Sequence, residues 1–183
     1  MLKGGLAFLS KDFLSMMELM IDSEMKMFKG INTPVVFLQN VITDLLLGLG
    51  MKEILIAFND YITKKYNAEA GFITMNMPKL LLELRSAGLE NPIVCTSINK
   101  IGFRMSGGKE TYEKVLDTTT ARIVAMQVLA AGAISPEEAM EYICSLPNVH
   151  SILFGASSKV NIEETVSLIH KYDRQFKLQQ VSI

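Results

Sequence analysis

Helix-like and strand-like segments alternate along the whole chain, and the strand-like ones are apolar without alternation. These two features predict an α/β fold of parallel βαβ units in one sheet, since strands covered on both faces read as continuous apolar runs. An open doubly wound sheet and a closed barrel both satisfy the pattern. The doubly wound form normally carries a glycine-rich phosphate fingerprint after its first strand, and neither GxGxxG nor GxxxxGK[ST] occurs here. The expectation is therefore a (β/α) TIM-type barrel. With 183 residues, 49% of them hydrophobic, the chain is expected to form one domain over residues 1–183. About six βα units can be counted against the eight of a complete barrel, so the barrel is expected to be incomplete by two units.

The short apolar run Gly5–Ser10 reads as a first strand, although a run of that length does not separate a strand from the approach to a helix. From Asp12 to Lys29, Phe13, Met16, Met17, Met20, Met27 and Phe28 recur at helical spacing among acidic and basic residues, and Gly30 closes the helix. After Asn32-Thr33-Pro34, the β-branched run Val35–Leu38 is a buried strand. A helical stretch from Ile42 breaks near Gly48-Leu49-Gly50 and resumes from Glu53 to Tyr66. The strand Gly71–Met75 follows. Pro78 opens a helix that Gly88 ends, and Pro92–Ile98 is the next strand. The turn Ser106-Gly107-Gly108 precedes a helix from Glu110 to Leu116, then the strand Arg122–Leu129. Ser135-Pro136-Glu137-Glu138 has the cap, the proline and the glutamate of a helix start. That helix stops at Leu146-Pro147, Ser151–Phe154 is the last strand, and a helix runs from Asn161 to Tyr172 with Asn161 and Glu164 at capping-box spacing.

Composition narrows the function classes. Lys and Arg number 18 against 19 Asp and Glu, a net charge of -1 with no basic excess, which argues against sequence-independent nucleic-acid binding. Cys95 and Cys144 lie apart in apolar runs with no CxxC or clustered His, which argues against a disulfide framework and a structural metal site and points to a reducing cytoplasm. No apolar run is long enough for a membrane span, and the N-terminus lacks a signal-peptide pattern. The 12 methionines read as adaptable core filler. His150 and His170 read as surface residues.

The strand ending in Gly155-Ala156-Ser157-Ser158 opens a helix, and so presents unpaired N–H groups and the positive end of the helix dipole to an anion, with Lys159 adding charge. The competing reading is that Ser157, Ser158 and Asn161 only cap the helix while Gly155 makes the turn.

From Leu6 to Leu168 the order of segments resembles the aldo-keto reductase barrel entered at its third strand. SILFGASSKVNIEETVSLI is similar to that family's last strand, phosphate loop and helix. GFITMNMPKLLLELRSAGLENPIVCTSINKIG resembles its fifth and sixth strands with the helix between, and IVAMQVLAAG its seventh. The resemblance implies a nicotinamide dinucleotide, NADP or NAD, bound at Asn76, Met126, Gly155, Ala156, Ser157, Ser158, Lys159, Asn161 and Glu164. The catalytic Asp and Tyr of the family belong before the third strand, outside this chain. Its Lys would be Lys11, at the end of a strand, or simply an exposed lysine at a helix start. Gln39 stands where the family has His, and an amide cannot shuttle a proton at neutral pH. Met75 and Cys95 replace two further cofactor contacts, Thr165 replaces an Asn, and Asn161 stands where NADP-preferring members have Arg, which removes a bidentate clamp on a 2′-phosphate.

The sequence thus leads to a divergent aldo-keto-reductase-like oxidoreductase, or a piece of one, with an impaired catalytic set. A non-redox barrel of aldolase or isomerase type that binds a phosphorylated small molecule, and a non-catalytic remnant, are the alternatives. The open edges expected of an incomplete barrel imply a homo-oligomer.

Overall fold

The computed structural model describes residues 2–173, with side chains from Asp12 onward. In chain order the elements are α1 (Leu2–Met25), β1 (Val35–Leu38), α2 (Asn40–Leu49), α3 (Lys52–Tyr61), β2 (Glu69–Thr74), α4 (Met77–Ser86), β3 (Ile93–Ser97), α5 (Lys109–Leu116), β4 (Arg122–Met126), α6 (Pro136–Ser145), β5 (Val149–Ile152) and α7 (Lys159–Tyr172). The five strands form one parallel sheet in sequential order, β1-β2-β3-β4-β5, and the sheet is not closed. The fold is α/β. Parallel neighbours require a crossover, and helices supply each one.

Three sequence expectations change. Gly5–Ser10 lies inside α1 and is not a strand, so the described sheet has five strands. The reason is visible in composition: the run has no β-branched residue, and Leu6, Leu9, Phe13, Met16 and Met20 continue one helical spacing without a break. Lys11 consequently falls within a helix and not at a strand end, and its side chain lies outside the described residues. The strand expected over Arg122–Leu129 ends at Met126, because Gln127 takes φ +53° and leaves the extended region. The last strand starts two residues earlier than expected, although Leu153 N–H still donates to Ala125 C=O at 2.8 Å.

The register explains the core. Leu38, Phe72, Val94, Ile123 and Val149 form one row across all five strands, facing the helices. Leu46, Leu55, Phe58, Leu80, Leu84, Tyr112 and Met140 close over that row, and the Phe58 and Phe72 rings meet edge to face at 5.7 Å. At roughly 25 cal/mol per Å² of apolar area, this helix-side layer is the main stabilising term. The opposite face carries Ile73, Cys95 and Val124 in one row and Ser97 beside Met126 in the next, nearer the C-terminal strand ends. Phe37 lies flat over Gly71 on that face, so a Cβ at Gly71 would stand 2.4 Å from the ring. Among the described residues no helix is long and apolar enough to cross a membrane.

Candidate functional site

The strand ends converge on a run of three adjoining cavities. Asn40, Met75, Gly102, Arg104, Met105 and Ser106 line the first, about 500 Å³. The second, about 440 Å³, lies between the loops after β3, β4 and β5, with Arg104, Gln127, Leu129 and Gly155 on its wall. Leu129 and Gly155 are shared with the third, about 500 Å³, which adds Pro136, Ala156, Ser157, Asn161, Glu164 and Thr165. Shared residues therefore make the three one groove over the C-terminal ends of the strands, where ligands of parallel α/β sheets bind.

Local chemistry holds this rim in place. The Asp44 carboxylate, reaching over from α2, accepts the Thr74 hydroxyl at 2.5 Å and the Met75 N–H at 3.0 Å. Fully buried Tyr112 donates its hydroxyl to Met75 C=O at 2.7 Å and accepts Met77 N–H at 3.1 Å, and burial raises its phenol above the ordinary range. Asn99, also fully buried, accepts Phe103 N–H at 2.7 Å and donates to Phe103 C=O at 2.9 Å and Gln127 C=O at 3.4 Å. Ser97 donates to Gln127 Oε1 at 2.7 Å. A buried amide that satisfies backbone groups on both sides of a loop fixes that loop's course.

The backbone around the second cavity is unusual. Arg104 (φ +54°), Gln127 (φ +53°), Ala130 (φ +47°) and Ala131 (φ +57°) all occupy the left-handed region without being glycine. Each such residue costs on the order of 1–2 kcal/mol unless its surroundings impose it, and such outliers concentrate at functional sites.

The residues singled out from sequence separate into groups. Gly155, Ala156, Ser157, Asn161 and Glu164 come together in the third cavity. Ser158 caps α7, its hydroxyl accepting Asn161 N–H at 3.2 Å, and Asn161 Nδ2 donates to Ser157 at 3.2 Å. Lys159 points away, 87% exposed and 3.5 Å from Glu163. Asn76 caps α4 through Lys79 N–H at 3.3 Å and does not line the groove. Met126, half-buried, stands beside Ser97 on the sheet face opposite the helices. Gln39 precedes α2, where its carbonyl accepts Thr43 N–H at 3.0 Å, and its side chain lines a different groove at the open edge of β1. The structure thus brings the α7 set together and leaves Gln39 and Asn76 outside it.

One lining residue, Arg104, escaped the sequence reading, whereas Glu164 was anticipated. Among the described residues Arg104 is the one cation on the walls of the three cavities and Glu164 the one carboxylate. The density of Gly102, Gly107 and Gly108 around Arg104 was the available signal. Among the described residues no group of three His, Cys, Asp or Glu is placed to hold a metal ion. Burial pushes the Cys95 thiol up to about 11, so it is a thiol and not a thiolate at neutral pH. His150 is engaged in the sheet, its Nδ1 accepting Ile123 N–H at 3.2 Å.

No protein-family model, curated protein or solved structure matches this chain.

Proposed function

We propose that this chain binds a phosphate-bearing small molecule across the C-terminal ends of its strands, and that a nicotinamide dinucleotide, NADP or NAD, is the ligand its groove suits. The observation that carries the reading is the continuity of three cavities sharing Arg104, Leu129 and Gly155, since an elongated ligand needs one uninterrupted path. The α7 end offers Ser157 and Asn161 as donors and Glu164 as an acceptor for ribose hydroxyls. Sequential strand order further supports reading the sheet as a sector of a (β/α) barrel, to which its open edges belong. Association of copies through those edges is part of the same proposal, as is a cytoplasmic setting for a chain whose two cysteines are free.

Chemistry by this groove is weaker than binding. Among the described residues no Tyr, His, Asp or Lys lines it, and Glu164 at its α7 end is the one acid–base group in place. General acid catalysis is typically worth about 10²–10⁴ in rate, and carbonyl reduction should be absent or slow to that extent. A second reading rests on Glu164, the one lining carboxylate: a sugar-phosphate-sized ligand confined to the third cavity, with Glu164 as its base, suits non-redox chemistry.

Titration with NADPH and NADH, followed by nucleotide fluorescence and thermal melting, tests the choice. Stabilisation by a dinucleotide and not by sugar phosphates supports the first reading, sugar phosphates alone select the second, and a melting curve unmoved by either overturns both.

A further inference from the structure

We propose that Arg104 is the anion anchor of the groove, so that the ligand carries its principal charge, a pyrophosphate, over the loop after β3 and not at the start of α7. The inference rests on the binding reading above and places the charge within it.

Position comes first. Arg104 lines both the first and the second cavity, and the second shares Gly155 and Leu129 with the third, so Arg104 stands midway along the run of cavities. A dinucleotide carries its pyrophosphate at its own midpoint, between two nucleoside ends.

Charge agrees with position. No carboxylate among the described residues pairs with Arg104, whose guanidinium rests 5.3 Å from the centroid of the Phe103 ring. A planar cation with five donors and no carboxylate partner among the described residues is suited to two phosphates in bidentate geometry. The α7 start is less suited, because Lys159 turns to Glu163, the Ser158 hydroxyl is spent on capping, and Glu164 brings a negative charge into that cavity.

Construction is the third argument. Asn99 pins the loop through Phe103, buried Met105 anchors the next residue, and Ser106 N–H donates to Met75 C=O at 2.9 Å. These contacts force Arg104 into φ +54°, which an arginine avoids and a glycine adopts freely. The fold alone would be better served by glycine, so the side chain is the reason to keep the strain.

The test compares the full chain with Arg104→Ala, Arg104→Lys and Arg104→Gly in calorimetric titrations with inorganic pyrophosphate, NADH and NADPH. Arg104→Ala should weaken pyrophosphate and dinucleotide binding by about 10- to 100-fold, as expected for a lost charge-assisted contact, and Arg104→Lys should recover part of it. Arg104→Gly should melt higher than the parent while binding as poorly as Arg104→Ala, an inverse pairing that a purely structural arginine would not give. The melting curves also establish that each variant is folded. Dinucleotide binding by the parent with equal binding by Arg104→Ala and Arg104→Gly overturns the anchor and leaves the binding reading standing. Arg104-dependent pyrophosphate binding without dinucleotide binding supports the anchor and overturns that reading. Binding of neither probe by the parent overturns both.

Discussion

Single side chains in this protein mostly fasten elements together, and their roles separate by pH and by cap. The Asp22 carboxylate of α1 accepts the Tyr61 hydroxyl at 2.7 Å, the Tyr66 hydroxyl at 2.5 Å and the Lys65 ammonium at 2.6 Å. Lys65 first, then the two hydroxyls, lower its pKa from the ordinary 3.8 to about 2, while burial and Asp22 raise Tyr66 to about 12. A carboxyl with a depressed native value stabilises above its unfolded value and loses that contribution as pH falls toward the native one. The pin between α1 and the turn after α3 should therefore weaken between about pH 4 and 2. Carbon-detected NMR titration should place the Asp22 midpoint near 2, and Asp22→Asn should flatten acid destabilisation in that window. Asn76 is a second case. It caps α4, so Asn76→Ala should cost about 1 kcal/mol in urea unfolding whether or not a ligand is present.

At the scale of elements, the chain shows how a local pattern is read correctly or misread. The Gly5–Ser10 run is short and apolar, which fits either structure. What decides for helix is its continuity with the next four turns of α1. β2 and β3 are the opposite case, because apolar, partly β-branched runs between turn residues leave no competing helix, and the structure puts both at the centre of the sheet. Phe72 is fully buried in the row that β2 contributes, against Phe58. Phe72→Ala should destabilise by about 3–5 kcal/mol, measured as a shift in the denaturation midpoint with the slope preserved. A cost below about 1 kcal/mol would mean that the helix layer does not rest on this row.

For the whole molecule the dominant feature is an unfinished sheet. β1 and β5 each have one hydrogen-bonded neighbour. The two edges differ in character. β5 exposes His150 and Ser151 and has an irregular register at Ile123/Val124, devices that blunt an edge. β1 instead borders a groove of about 390 Å³ whose wall exposes Met16 and Met20 of α1 and Phe28 just beyond it by 55%, 56% and 44%. The methionines of α1 are thus only partly the core filler that composition suggested. Contiguous apolar surface of this kind binds other apolar matter. The full chain should enhance the fluorescence of an environment-sensitive apolar dye, and Met20→Lys should reduce the enhancement at least twofold with an unchanged far-ultraviolet spectrum. Light scattering at micromolar concentration should report species larger than 20.3 kDa, and a monomer throughout would remove self-association from the proposed function.

The sequence by itself determined the α/β class, the parallel sheet, eleven of the twelve described helices and strands to within a few residues, and the turn after Gly155 into α7, whose cap is however Ser158 and not the expected Asn161–Glu164 box. These are local properties, carried by periodicity, by β-branching and by cap residues within one turn of the chain. Tertiary structure alone decided that Arg104, Gln127 and Gly155, held by separate loops, share one cavity, and that Gln39 faces an open edge away from it. It also decided that Gln127 bends against its backbone preference, where its carbonyl accepts the Asn99 amide from another loop. Such arrangements depend on contacts between residues about 20 to 50 positions apart, and no window of local sequence contains both partners.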